Sequence, residues 1–281
     1  MKILVTGGAG FIGSNLIKKL LEEGHQVHSL DCYGNGSTKN HVDGCNYITG
    51  DIELVHLMDK DFNLCYHLAA QSRVQPSFEN PTETFRVNVV GTEAVMEWAK
   101  NNKIKVIYAG SSSKHHDPSD SPYSMYKYLG EEICKLYKKT YNLDVEIVRF
   151  YNVYGTNESL NEKYGNLIGI WRSKILKNEP LPIIGDGEQR RDFIHVDDIV
   201  DALYKIGLSS EHHEDAWELG TGINYSINEL YEMFKQKFGI DKINLPNQKG
   251  NYPNTLRTNN DALNRLNWNP KDRLKNYINL L

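Results

Sequence analysis

The chain has 281 residues and a formal net charge of −4, from 32 basic and 36 acidic side chains. That length suits one large α/β domain or such a domain with a smaller lobe. The mild acidity and the absence of a long basic run argue against a nucleic-acid surface. Cys32, Cys45, Cys65 and Cys134 show no CxxC or zinc-like spacing, which reads as reduced thiols and no metal site.

The chain opens on "MKILVTGG", where glycine stops the apolar run too early for a signal peptide. No apolar run approaches the roughly 18 to 20 residues of a membrane span. A soluble, cytoplasmic protein is the expectation, with neither membrane nor nucleic acid as partner. Ile3 to Thr6 reads as a buried strand. In "FIGSNLIKKLLEEGH", Leu16, Ile17, Leu20 and Leu21 recur at helical spacing and Gly24 suits the stop. "QVHSLD", "NYITGD" and "LCYHLA" read as strands, "TFRVNVVGTEAVMEWAKNN" as helix and "KVIYAG" as strand. "SPYSMYKYLGEEICKLYKKTY" is a long helix with proline near its start, where a missing N–H costs least. "DVEIVRFYNVYG" is a strand that breaks into a loop.

This alternation predicts a Rossmann-like, doubly wound parallel sheet over residues 1–151. The pattern then loosens. "TNESLNEKYGN" reads as loop, and "PLPIIGDGEQRRDFIHVDDIVDALYKI" as strand, turn, strand and helix. "YSINELYEMFKQKFG" is a helix before a polar tail rich in asparagine and proline. Residues 152–281 are expected to form a smaller substrate-binding lobe, with a segment near 183–207 returning to the first domain.

"TGGAGFIG" sets Gly7, Gly10 and Gly13 between the first strand and first helix. Gly7 allows a tight turn, Gly10 lets backbone approach a pyrophosphate, and Gly13 lets helix and strand pack closely. Phe11 and Ile12 complete the loop, and the helix N-terminus offers N–H groups and partial positive charge to phosphates. Asp31, at the end of the second strand, suits the ribose hydroxyls of NAD and repels the 2′-phosphate of NADP. A solvated strand-end acid is the other reading of Asp31. The spacing is GxxGxxG, unlike the common GxGxxG.

The ordered set "TGGAGFIGSNL", "GDI" (50–52), "HLAAQS" (67–72), "NVVGT" (88–92), Tyr123/Lys127, "RFYNVYG" (149–155) and "RRDFIHVDD" (190–198) resembles the nucleotide-sugar epimerase/dehydratase family of extended short-chain dehydrogenases. The resemblance spans almost the whole chain. It implies NAD along Gly7, Gly10 and Gly13, with Asp31, Asn35 and Gly36 at the ribose. Asp51 and Ile52 would flank the adenine and Leu68, Ala69 and Ala70 the cofactor wall, while Asn88 supports the active-site backbone. It implies a nucleotide-diphosphate sugar, a UDP-sugar foremost, contacted by Asn152, Asn166 and Leu167, with Arg191 on the diphosphate. An arginine fork suits phosphate oxygens; an ion pair of Arg191 with Asp192 or Asp197 is the structural alternative. A homodimer through helices around 83–100 and 122–140 is also implied.

Tyr123 and Lys127 are four apart and share a helix face. A phenol near pKa 10 is a poor base at neutral pH; a nearby ammonium favours the phenolate. Tyr123 then takes a sugar hydroxyl proton as hydride leaves the carbon beneath, and a serine holds the same oxygen. Alignment on the family pattern points to Ser111, with Ser112 the runner-up. Family dehydratases carry an Asp-Glu pair directly after this position, where this chain has Ser112 and Ser113. A hydroxyl cannot replace those carboxylates, which disfavours 4,6-dehydration. The expected reaction is NAD-dependent epimerisation at C4 through a 4-keto sugar. The alternatives are a reductase, decarboxylase or dehydratase of the same family, or a non-catalytic NAD-binding regulator.

The sequence departs from the family twice. The link "KHHDPSDSP" between serines and tyrosine is about a dozen residues short, leaving His115 and His116 to fill a gap, bind a sugar hydroxyl or metal, or serve as plain loop residues. The segment "NQKGNYP" has Gln248 and Lys249 where many members carry a pyrophosphate-binding arginine. Thr255 is expected near the sugar's C2 substituent.

Overall fold

The computed structural model describes all residues, 1–281. Its main sheet joins β1 (Lys2–Thr6), β2 (Gln26–Asp31), β3 (Asn46–Thr49), β4 (Leu64–His67), β5 (Lys105–Ser111), β6 (Val145–Phe150) and β10 (Trp217–Leu219). The order is β3-β2-β1-β4-β5-β6-β10, every neighbouring pair parallel. The order reverses between β1 and β4, where a doubly wound sheet opens a crevice beyond its strand C-termini.

Successive residues of β1 serve opposite faces, as the period of a strand requires. Ile3 and Val5 pack with Leu16, Ile17 and Leu20 of α1 (Phe11–Glu22) and with Ile199, Leu203 and Ile206 of α7 (Val196–Leu208). Leu4 packs on the other face with Val95, Met96 and Ala99 of α4 (Gly91–Asn102) and Cys134 and Tyr137 of α5 (Pro122–Tyr141). Pro122 opens α5 behind Ser121, whose hydroxyl accepts the Ser124 N–H, a pairing of cap and first-turn proline that fixes where the helix starts.

The predicted helix over "TFRVNVVGTEAVMEWAKNN" is present but not uniform. Short helices α2 (Val74–Glu79) and α3 (Pro81–Phe85) lead into a wide π-type turn at Arg86–Val90 before α4. Such turns re-aim side chains within a helix. Here Asn88 accepts the Gln71 N–H at 2.8 Å and donates to the Gln71 carbonyl at 2.9 Å, clamping the loop after β4.

The rest of the chain builds a second lobe. β7 (Asn152–Tyr154), β9 (Arg190–His195) and β11 (Asn224–Ser226) form a small mixed sheet, and β8 (Leu181–Ile184) pairs with β12 (Lys242–Leu245). Trp171 of α6 (Leu167–Leu176), Phe234 of α8 (Ile227–Phe238) and Ile278 of α10 (Leu274–Leu280) share its core with Ile183 and Phe193. Of the segment 183–207, α7 packs on the large sheet, whereas β8 and β9 stay with the small ones. The chain also returns at β10 and at α9 (Asp261–Leu266), whose Ala262 and Leu266 join the first core. No helix is long and apolar enough to cross a membrane.

Candidate active site

One cavity of about 1320 Å³ runs from the first glycine loop to the second lobe. Gly7, Gly10, Phe11, Ile12 and Gly13 line one end, with Asp31, Asn35 and Gly36 beside them. Asp51, Ile52, Leu68, Ala69 and Ala70 form the walls. Ser111, Ser112, Tyr123 and Lys127 stand midway, and Asn152, Asn166, Leu167 and Arg191 lie toward the second lobe. Asn88 does not line it; it acts on the cavity through Gln71.

The glycine loop has the shape of a dinucleotide cradle. Gly7 has φ +74°, and a Cβ there would sit 2.9 Å from the Ala69 nitrogen. A Cβ at Gly13 would sit 2.3 Å from the Gly7 carbonyl oxygen. Gly10 caps α1 without any side-chain bond, so the first N–H groups of the helix are left without a side-chain acceptor where Gly10, Phe11, Ile12 and Gly13 line the cavity, as a pyrophosphate requires. The Asp31 carboxylate accepts the Ala9 and Tyr33 N–H groups at 2.9 and 2.8 Å. Two backbone donors fix its orientation and leave lone pairs for a ribose hydroxyl. These residues fit NAD. His67 of the "HLAAQS" motif is buried between Thr6 and Thr92 hydroxyls, and burial pushes its pKa down to about 3. It is a neutral structural group.

Tyr123 sits in the first turn of α5, its backbone N–H donating to the Ser77 hydroxyl of α2 at 3.1 Å. Burial raises its phenol pKa; the Ser111 hydroxyl and the charge of Arg73 pull the other way. Lys127 lies one turn on and is buried. Its ammonium donates to the Ala109 carbonyl at 2.7 Å, and burial lowers its pKa from 10.5 to about 8. Since the unfolded chain holds that proton up to about pH 10.5, the folded state gains stability as pH rises from 8 to 10.5. At pH 7 the buried charge therefore costs up to about 3 kcal/mol. Lys127→Met is expected to raise the melting temperature of the cofactor-free protein at pH 7, with the gain fading by pH 10, while activity drops. A lower melting temperature at pH 7 would show that the ammonium is better solvated than its burial suggests.

Toward the second lobe, Asn152 donates to the Asp192 carbonyl and the Thr255 hydroxyl at 3.3 and 3.2 Å, and its own side-chain oxygen has no protein donor. Asn166 caps α6, accepting the Gly169 N–H at 2.6 Å and donating to Val153 and Glu158. Arg191 bonds the Arg190 carbonyl and Asn251 and meets no carboxylate. Burial pushes its pKa down to about 10. The alternative ion pairs are not formed: Asp192 accepts from Thr221, Gly222 and Arg257, and Asp197 pairs with Arg273.

The short 114–120 link is pinned at both histidines. His115 bonds Glu218 of β10 at 2.9 Å, which raises its pKa. His116 stacks on Tyr252 with ring centroids 3.8 Å apart, and the Tyr252 hydroxyl bonds Ser124. Sequence reasoning missed Arg73, Glu158, Tyr164 and Tyr252, all of which line the cavity. Arg73 stands just past "HLAAQS", the only available signal for it; Tyr252 lies in "NQKGNYP", where the sequence pointed to Gln248 and Lys249 instead.

Comparison with known proteins places the chain in a family. Residues 3–220 match the model of the NAD dependent epimerase/dehydratase family. The UDP-glucose 4-epimerase of Mycolicibacterium smegmatis is 31% identical over 99% of this chain and 96% of its own. UDP-glucose 4-epimerase of Thermotoga maritima, solved with UDP-glucose, superposes with a TM-score of 0.92 at 28% identity, covering 100% of this chain and 97% of that one. UDP-glucuronic acid 4-epimerase of Bacillus cereus, solved with UDP-glucuronic acid and NAD, gives 0.90 at 26% identity over 99% and 96%. With the family model matching most of its length, the chain belongs to the NAD-dependent epimerase/dehydratase family.

Proposed function

We propose that this protein is an NAD-dependent nucleotide-sugar epimerase acting at C4. The carrying observation is that the glycine-loop cradle, Ser111, Tyr123 and Lys127, and the Asn152/Arg191 end all open into one cavity of about 1320 Å³. That volume exceeds the few hundred to about 1,000 Å³ of an ordinary ligand pocket, so it suits a dinucleotide and a nucleotide sugar together.

Gly7, Gly10 and Gly13 hold the NAD pyrophosphate, and Asp31 with Asn35 and Gly36 the adenosine ribose. Asp51 and Ile52 flank the adenine, with Leu68, Ala69 and Ala70 along the cofactor. Bound NAD supplies the acceptor for the C4 hydride and the donor that returns it, with no net redox change. Tyr123 removes the C4-hydroxyl proton. Ser111, backed by Ser112, holds that oxygen as it gains alkoxide character. Asn152, Asn166, Leu167 and Arg191 retain the nucleotide-diphosphate end, UDP foremost, while the 4-keto sugar turns to offer the other face of C4 to hydride and its C4 oxygen takes the proton back from Tyr123. No acid–base carboxylate pair follows Ser111, which argues against 4,6-dehydration.

The test is to incubate purified protein with UDP-glucose, UDP-N-acetylglucosamine and UDP-glucuronate without added NAD(P)H. Epimers without net cofactor consumption support the reading. A requirement for NAD(P)H, or release of carbon dioxide or water, selects the reductase, decarboxylase or dehydratase alternative.

A homodimer is part of this reading. Phe85 and Val90 before α4 and Leu136 on α5 are exposed apolar side chains, and the Phe85–Tyr126 ring contact holds the two helical segments together. Light scattering is expected to show a dimer, and Leu136→Glu to shift it toward monomer; a wild-type monomer at micromolar concentration contradicts this. A cytoplasmic location is proposed with it and is checked by fractionation.

A further inference from the structure

The relatives above act on different sugars, so likeness does not choose the substrate. The ion pairs of this chain do. It has nine arginines. Six of them, Arg86, Arg149, Arg172, Arg190, Arg265 and Arg273, pair with carboxylates. Arg257 instead donates to the Gly220, Thr221 and Asn259 carbonyls and to Asn260. That leaves two arginines in the cavity without an anion, Arg191 and Arg73.

Arg191 keeps both terminal nitrogens engaged, on Arg190 and Asn251. Arg73 makes a single side-chain bond, from Nε to the Tyr164 carbonyl at 2.8 Å. Its two terminal nitrogens have no protein acceptor. Glu158, the carboxylate whose charge acts on Arg73, is occupied by Arg172, Tyr277 and Asn166. The other cavity acids have partners as well: Glu79 pairs with Lys163, Glu162 and Glu179 with Lys174, and Asp51 with Arg86.

The position of Arg73 is held from both sides. It is the N-cap residue of α2. On one side the Asn88–Gln71 clamp fixes the loop; on the other, Ser77 of α2 accepts the Tyr123 N–H. Arg73 therefore stands beside the reacting end of the cavity, close enough for its charge to offset part of the burial that raises the Tyr123 phenol pKa. A guanidinium partly withdrawn from water, with its fork unpaired, is matched best by a bidentate carboxylate. In a hexuronate the C6 carboxylate lies two bonds from C4, so a sugar presenting C4 to Tyr123 brings it to this neighbourhood.

Resting on the 4-epimerase reading, we infer that Arg73 binds a carboxylate on the sugar and that the preferred substrate is a nucleotide-activated hexuronate.

The test is calorimetric titration of the NAD-loaded protein with UDP-glucuronate and UDP-glucose, on wild type, Arg73→Gln and Arg73→Lys. Wild type is expected to bind UDP-glucuronate on the order of 10- to 100-fold more tightly, the range of a charge-assisted hydrogen bond. In Arg73→Gln that ratio collapses toward one, and Arg73→Lys keeps part of it, with NAD content and melting temperature reporting intact folding. Equal affinities in wild type overturn the inference. So does an equal loss for both ligands in Arg73→Gln, which would place Arg73 on the diphosphate. Binding with the stated preference but no epimer formed contradicts the epimerase reading and leaves the Arg73 assignment standing.

Discussion

Tyr123→Phe is expected to lower kcat by about 10²- to 10⁴-fold, the usual contribution of a positioned acid–base group, while leaving bound NAD and the melting temperature close to wild type. The ring still fills its place at the start of α5, because the backbone bond to Ser77 does not use the phenol. Only the proposed proton-transfer oxygen is removed. Single-turnover kinetics beside NAD content and thermal melting check this. Activity within about tenfold of wild type would mean that another group, Ser111 or a water, carries the proton.

The largest stability effect is expected far from the substrate. Arg149 of β6 is buried and donates to Glu131 of α5 at 2.7 Å, to Glu218 of β10 at 2.9 Å and to Asp215 at 2.8 Å. Glu131 and Glu218 are themselves buried, and Glu218 also receives the Tyr151 hydroxyl and His115. Arg149→Met leaves two buried carboxylates without their cation. The expected cost is about 3–5 kcal/mol, lowering the melting temperature by about 10 °C in a chain of this size. Because Glu218 anchors His115, the 112–116 turn should loosen too, which hydrogen exchange at Ser113 and His116 reads directly. A loss below about 1 kcal/mol, the range of a surface ion pair, would mean that water reaches the network.

Much of the first domain was legible from the sequence because its signals are local. The "TGGAGFIG" loop, the periodicity of α1 and the strand-end Asp31 lie within a few dozen residues. β10 carried no comparable signal. Three residues cannot display a period, and Glu218 lies buried among apolar neighbours only because Arg149 and Tyr151 reach it from β6 and just beyond. The polar tail hid β12, α9 and α10 for a similar reason: β12 is exposed along its length, and its pairing with β8 is a long-range event.

The site was legible in its residue types and partly in their placement. The Tyr123/Lys127 spacing gives a shared face. It does not say that the ammonium bonds Ala109 or that the positive charge acting on the phenol comes from Arg73. An unpaired arginine cannot be recognised in sequence, since its pairing depends on where the acids fold. The short "KHHDPSD" link is similar: its histidines found fixed partners, Glu218 and Tyr252, that lie about a hundred residues or more downstream.

In the proposed reaction, hydride leaves C4 and returns to the same molecule while Tyr123 moves the proton. The direct measurement is turnover of UDP-hexose or UDP-hexuronate deuterated at C4, in ordinary water, with no cofactor added beyond what co-purifies. The expected product is a 4-epimer that retains deuterium at C4, formed with stoichiometric bound NAD. Washout of the deuterium into solvent, or product formed only when NAD(P)H is supplied, would contradict it.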